Sequence, residues 1–314
     1  MKRQETINEH LTGLIIPAQT PMRADGSLNL DMVERQARCF VDNGASATFI
    51  CGSTGESASL TVGERLAVAE RWKAVAPRTF PILVNAGHDC LAEAREIAAH
   101  AEKVVGARAI AAVAPVYFPP AKVKDLIAYC APIAAAAPHT PFYYYHIPKR
   151  TSLAFKAFDI LKAAAAEIPT FAGMKFTHED LMDFRQCLEY DGGRYNMLFG
   201  KDEILLSALA LGARGAIGGT YNIAAPLYLR VIKAFEAGDM DTARREQSRA
   251  MEMIAVLRRF PTTVAVKAVM KAIGLDCGPS RLPQVSLTAE ETESLLRDLK
   301  RIGFFDYCMK VDKA

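Results

Sequence analysis

The apolar run Thr170-Phe171-Ala172-Gly173-Met174 leads straight into a single lysine, Lys175, followed by Phe176 and Thr177. Taking an ammonium out of water is costly unless it is paired or gives up its proton. Surroundings of low polarity favour the neutral amine, and a neutral amine can attack a ketone to form a Schiff base. The plain alternative is a strand-terminal lysine pointing into solvent, the commoner fate of any single lysine.

Other segments supply partners for such a nucleophile. Gly52-Ser53-Thr54-Gly55 sets two hydroxyls between glycines that would expose backbone N–H groups, a set of donors suited to a carboxylate. The same tetrapeptide also reads as an ordinary strand-to-helix turn. Tyr143, Tyr144 and Tyr145 are of a type that usually fills core; Tyr145, nearest the end of its run, is the one placed to move a proton. Phe199-Gly200-Lys201-Asp202-Glu203 puts two carboxylates at the expected start of a helix, where an N-terminus stabilises acids with or without a ligand. Their functional reading is a pair of acceptors for substrate hydroxyls. Arg150, two residues after Pro148, is either a solvated loop cation or the partner of an anionic group.

These residues need a scaffold that brings them together. Apolar runs at 14–21, 47–51, 81–87, 109–115, 141–148, 170–175, 197–200 and 215–219 predict eight strands, each separated from the next by a segment of helical period. The intervening helices include 65–76, opened by Thr61 and Glu64 at capping-box spacing, and 91–105. Alternating units with near-continuous apolar strands imply a parallel sheet covered by helices, and eight of them match a (β/α)8 TIM barrel of the α/β class. An open doubly wound sheet would need a Gly-x-Gly-x-x-Gly turn after the first strand, where this chain has Ala18-Gln19-Thr20-Pro21. Chemistry on a barrel gathers at the carboxyl ends of the strands. That rule places Ser53, Thr54, Tyr117, Tyr145, Lys175, Thr177, Gly200, Asp202, Glu203 and Gly219 around one mouth. Tyr117 follows the fourth strand and would cover the mouth or reach into a neighbouring subunit.

Beyond the eighth unit the pattern is all-helical, over 239–260, 264–273 and 288–302, interrupted at Gly274 and at Cys277-Gly278-Pro279-Ser280. The expected organisation is a barrel with the catalytic site over 1–238 and a helical extension over 239–314 packed on it as one structural unit. With 51% hydrophobic residues among 314, the chain can bury a core of that size. Its 38 basic and 35 acidic residues are nearly balanced and form no basic block, which argues against a nucleic-acid partner. No apolar run reaches membrane-spanning length, and Met1-Lys2-Arg3-Gln4-Glu5 lacks the apolar core of a secretion signal. Seven cysteines without Cys-x-x-Cys spacing point to reduced thiols in the cytoplasm. The six histidines form no His-Glu-x-x-His motif, so no metal site is expected.

Gly52-Ser53-Thr54-Gly55-Glu56, Tyr145-His146-Ile147-Pro148 and Gly173-Met174-Lys175 together resemble the pyruvate-dependent class I aldolases of the N-acetylneuraminate lyase and dihydrodipicolinate synthase family. The resemblance runs through the barrel into the tail, where Val266-Lys267-Ala268 and Gly278-Pro279-Ser280-Arg281-Leu282-Pro283 are similar too. It implies that Lys175 forms the imine with a 2-oxo acid such as pyruvate, that Ser53 and Thr54 hold the carboxylate, and that Tyr145 shuttles a proton. It further implies that Thr177, Gly200, Asp202, Glu203 and the position of Gly219 hold the polyhydroxyl tail of a sialic acid. Tyr117 matches an aromatic exchanged across a homotetramer interface. No cofactor is implied, because the iminium is itself the electron sink.

Residues 141–148 and 199–203 resemble the lyase branch, which cleaves a sugar-derived 2-oxo acid. Two positions depart from that branch. Gly218-Gly219-Thr220-Tyr221-Asn222 has glycine where the lyases have serine, and Arg150 stands where lyases carry an apolar residue and synthases an arginine. One lost hydrogen bond in a solvated site is worth only about 1 kcal/mol, whereas an arginine facing a carboxylate is worth more. The synthase branch, or another 2-oxo-acid aldolase or dehydratase, is therefore the alternative expectation, and a non-catalytic sugar-acid binding protein a third.

Overall fold

Strands that are apolar on both faces need cover on both, and the chain meets that need by closing its eight runs into a ring. In the computed structural model, which describes residues 9–312, the strands are β1 (Gly13–Pro17), β2 (Ala47–Ile50), β3 (Ile82–Asn85), β4 (Ala109–Val113), β5 (Phe142–His146), β6 (Phe171–Phe176), β7 (Asn196–Phe199) and β8 (Gly215–Ile217). Each is parallel to the next, and β8 returns to β1. The expected (β/α)8 barrel is the observed fold. Residues 1–5, read above for a secretion signal, lie outside the described residues. No described helix is long and apolar enough to cross a membrane.

Alternation along the strands sorts side chains into two shells. Ile15, Phe49, Leu83, Tyr143, Tyr145, Leu198 and Ile217 point into the ring, while Leu14, Ile16, Ile50, Ile110, Tyr144, Met174 and Phe199 pack outward beneath the helices. The three consecutive tyrosines therefore do different jobs. Tyr144 is outer core. Tyr143 points inward and donates its hydroxyl to Asn196 Oδ1 at 2.9 Å, and that same oxygen accepts from Leu11 N at 3.0 Å. These bonds engage Tyr143 where the incoming chain crosses the floor of the barrel. Tyr145 points inward one pleat nearer the carboxyl end.

The pairing of β5 with β6 is irregular in a way that matters for the mouth. Phe142 pairs with Phe171, but the register then slips by one residue, so that Tyr143 pairs with Gly173 and Tyr145 with Lys175. Continued without the slip, the ladder would set Tyr145 opposite Met174, whose side chain faces outward. Gly173 permits the slip: a Cβ there would lie 1.9 Å from Asn196 O on β7. Such irregularities in strands commonly re-aim side chains beside active sites.

Several predicted boundaries shift. β1 stops at Pro17, leaving Ala18–Pro21 to the loop; β6 runs one residue past Lys175, and β8 ends before Gly218. The capping box at Thr61 and Glu64 is present, with Glu64 N donating to Thr61 Oγ1 at 3.2 Å and Thr61 N to Glu64 Oε2 at 2.9 Å. The helix expected over 91–105 is α-helical only over Leu91–His100 and finishes as a π-turn, Ala101–Val105. Asp202 and Glu203 do not open an α-helix; they lie in a 3-10 turn, Asp202–Ile204, ahead of the six-residue helix Leu205–Ala210. Explicit partners, rather than a long helix dipole, hold those two acids. Past the barrel, the helices Met240–Leu257, Thr262–Ala272 and Ala289–Arg301 complete the outer layer.

Candidate active site

Inward residues at the carboxyl ends of β2, β5 and β6 share the mouth with the loops that follow β7 and β8. A cleft of about 240 Å³ opens there, lined by Ser53, Thr54, Tyr145, Arg150, Lys175, Thr177, Gly200, Asp202, Glu203 and Gly219 among others. Tyr117 is not in this lining. It stands on the exterior, 78% exposed, with its ring edge-on to Phe118 at 4.8 Å.

Lys175 is buried, with its Nζ 4.0 Å from the ring centre of Tyr145 and 4.7 Å from that of Phe49. Among the described residues no carboxylate forms an ion pair with it. The hydroxyl of Tyr145 points to Ser53 Oγ across a long 3.5 Å. Burial pushes this phenol up, but the Lys175 charge, hydrogen bonds involving Ser53 and Lys175, and the Arg150 charge outweigh burial and leave it below the usual tyrosine range. The register slip thus sets an amine and an unusually acidic phenol on one rung. Half-buried Ser53 and Thr54 belong to a turn bounded by two left-handed residues, Cys51 (φ 52°) and Glu56 (φ 56°), a conformation that costs free energy unless the surroundings impose it.

Across the cleft the walls are polar. Asp202 Oδ2 accepts from Thr220 N at 2.9 Å and Thr220 Oγ1 at 2.6 Å, while its buried Oδ1 has no protein partner. Burial pushes the carboxyl up to about 6, against the pull of the two Thr220 bonds. A Cβ on Gly218 would lie 2.0 Å from Asp202 Oδ1, so only glycine fits there; on Gly219 its nearest contact would be Thr54 Oγ1 at 3.6 Å, leaving room for a side chain. Thr177 Oγ1 is likewise buried without a partner, and Gly200 leaves space for it, since a Cβ there would come within 2.2 Å. Two unpartnered polar atoms in one wall mark a place for a polar ligand. Glu203 lies at the rim between Lys201, at 2.8 Å, and Arg258, and Lys201 also meets Glu179 at 2.6 Å.

Gln19, Lys201, Thr220, Arg258, Thr262 and Thr263 also line the cleft and were not read from the sequence. Gln19 follows the carboxyl end of β1 and was within reach of the strand-end rule. Arg258, Thr262 and Thr263 come from the C-terminal segment, where no local pattern points toward the mouth. Gln19 Nε2 donates to Thr263 O at 3.2 Å, and Gln247 Nε2 to Asp202 O at 3.1 Å, so that segment holds two of the loops it faces.

His146 lies behind the site rather than in it, packed against Phe176 with ring centres 5.3 Å apart. Burial, with the neighbouring His178, lowers it to about 4, and its Nε2 has no partner. A histidine depressed in the folded state gives stability that is complete above the unfolded value near 6.5 and is lost as pH falls toward 4. Asp202, raised in the folded state, acts oppositely between about 3.8 and 6, so the two largely mask each other in the native protein. Replacing His146 with phenylalanine should therefore raise unfolding free energy relative to native progressively from pH 6.5 to 4, by about 3 kcal/mol at the end. Urea unfolding of both proteins across that range measures it.

Residues 10–302 match the model of the dihydrodipicolinate synthetase family. The chain is 37% identical over 302 residues to an N-acetylneuraminate lyase of Rattus norvegicus, covering 95% of this chain and 94% of the relative. Among solved structures it superposes on Proteus mirabilis N-acetylneuraminate lyase with a TM-score of 0.91 and 36% identity, over 94% of this chain and all of the other. N-acetylneuraminate lyase (sialic acid aldolase) from Aliivibrio salmonicida gives a TM-score of 0.91 and 35% identity, over 94% and 98% of the two chains.

Proposed function

The chain belongs to the dihydrodipicolinate synthetase family, and on that footing we propose that it is a class I pyruvate-dependent aldolase, an N-acetylneuraminate lyase that cleaves N-acetylneuraminate to pyruvate and N-acetylmannosamine. The observation that carries this reading is the buried amine of Lys175 beside the Tyr145 ring, with the Ser53 hydroxyl facing the phenol. Lys175 adds to the C2 ketone of the open-chain substrate and water leaves, giving a protonated imine. Tyr145 takes the proton of the C4 hydroxyl, the C3–C4 bond breaks, and its electron pair moves into the iminium to form an enamine. The sugar departs as its aldehyde. Protonation of the enamine carbon and addition of water then return the amine and release pyruvate. Ser53 and Thr54 hold the carboxylate; Thr177, Gly200, Asp202 and Glu203 face the hydroxylated tail, a role supported by the unpartnered atoms of Thr177 and Asp202.

The same reading includes a homotetramer in the cytoplasm, with Tyr117 reaching a neighbouring chain, and a barrel over 1–238 that works as one unit with 239–314. The exposed Tyr117–Phe118 pair supports the first, and the bonds from the C-terminal segment to the mouth support the second.

A specific observation favours a second reading: Arg150 faces the cleft, is exposed, and has no ion-pair partner among the described residues. It could hold a second carboxylate, as a dihydrodipicolinate synthase requires of its aldehyde partner. A substrate panel separates the two. The lyase reading expects pyruvate release from N-acetylneuraminate, little changed by Arg150→Leu. Condensation of pyruvate with aspartate semialdehyde, lost in Arg150→Leu, with no cleavage of N-acetylneuraminate, would sink it.

A further inference from the structure

Glu56 closes the Gly-Ser-Thr-Gly-Glu turn and takes no part in the chemistry above, yet its side chain is fully buried. Its carboxylate meets Lys267 Nζ at 2.5 Å and accepts from Arg281 N at 2.9 Å, and Lys267 Nζ also donates to Pro279 O at 2.9 Å. The backbone of Glu56 is left-handed, and its N–H donates to Ser53 O at 3.2 Å. Lys267 follows Val266 on the helix that also carries Thr262 and Thr263, and those three line the cleft. One ion pair therefore joins the turn that bears the hydroxyls to the wall supplied by the C-terminal segment.

A buried ion pair adds little stability over a well-packed apolar pair, so stability alone does not account for these charges. What the pair does supply is direction and distance. We propose that Glu56 and Lys267 are positioning residues for the carboxylate end of the substrate: the pair fixes the left-handed residue that shapes the Ser53–Thr54 turn, and so sets affinity for the 2-oxo acid without touching it. The inference rests on the reading of Lys175 as the residue that forms an imine with pyruvate.

The test uses the full chain and pyruvate. The double variant Glu56→Gln/Lys267→Met removes both charges at nearly constant volume; Glu56→Asp, which keeps the charges but shortens their reach, serves if the double variant does not fold. Adducts on Lys175 are trapped with borohydride over a range of pyruvate concentrations and weighed, and Tm is followed in parallel. A positioning role predicts that the half-saturating pyruvate concentration rises roughly tenfold or more, with Tm near native and full trapping at saturation. KM for N-acetylmannosamine in the reverse reaction should stay unchanged. A folded variant with native pyruvate dependence would overturn the proposal and leave the pair a structural tie. No adduct on the native protein would overturn the reading of Lys175 itself, and this inference with it.

Discussion

With Lys175 replaced by methionine, cleavage should fall by about 10⁴-fold or more, and borohydride with pyruvate should leave no added mass. The cleft holds a second lysine, Lys201, which could in principle rescue the reaction. Burial lowers Lys201, but hydrogen bonds to Glu179 and Glu203 outweigh it and hold the amine above the usual lysine range, as an ammonium with no lone pair to offer. Of the two lysines that line the cleft among the described residues, Lys175 lies against ring faces and Lys201 against carboxylates. Methionine nearly matches lysine in length and suits an apolar site, so the variant should fold and the loss should be chemical. Far-UV circular dichroism and a coupled assay for pyruvate separate those outcomes. Residual turnover within tenfold of native would remove the imine from the mechanism.

The second large effect belongs to Tyr145. Tyr145→Phe keeps the ring that covers Lys175 Nζ and meets Phe49 edge-on, 5.9 Å between centres, and deletes only the hydroxyl. Loss of a positioned proton carrier should lower kcat by about 10²- to 10⁴-fold. Trapping of pyruvate on Lys175 should survive, because forming that imine breaks no carbon–carbon bond. That split between an intact adduct and a crippled cleavage step assigns the phenol to bond breaking. If trapping and cleavage fell together, Tyr145 would act on the imine instead.

Much of this arrangement was legible before the structure. Strands buried on both faces read as unbroken apolar runs, and their alternation with helical segments leaves a barrel as the simplest closure. The strand-end rule brings Ser53, Tyr145 and Lys175 to one mouth, and all three line the cleft, whereas Tyr117, placed there by the same rule, does not. The reason Tyr145 sits beside Lys175 rather than Met174 was not legible. It depends on how closely β6 approaches the β7 backbone at Gly173, a contact between segments that no local pattern encodes. Asp202 and Glu203 misled for a similar reason: two adjacent acids after the seventh strand read as the start of a helix, whereas Thr220, Lys201 and Arg258 decide how those acids are held. Arg258 and Thr262 illustrate the general limit, since a segment wrapping back from far along the chain reaches a pocket through tertiary packing alone.

That wrapping orders events on the ribosome. Chains are made from the amino end, and N-terminal parts condense first. A nascent chain that has emerged as far as residue 238 already carries the amine and the phenol, but the helix that bears Lys267 and the strap that bears Arg281 have yet to emerge. Its ring of strands can close while one side of its cavity is still unmade. The cleft is then completed late, when the last quarter of the polypeptide docks, so a truncated translation product would carry the nucleophile in a cavity that lacks the wall of Arg258, Thr262, Thr263 and Val266.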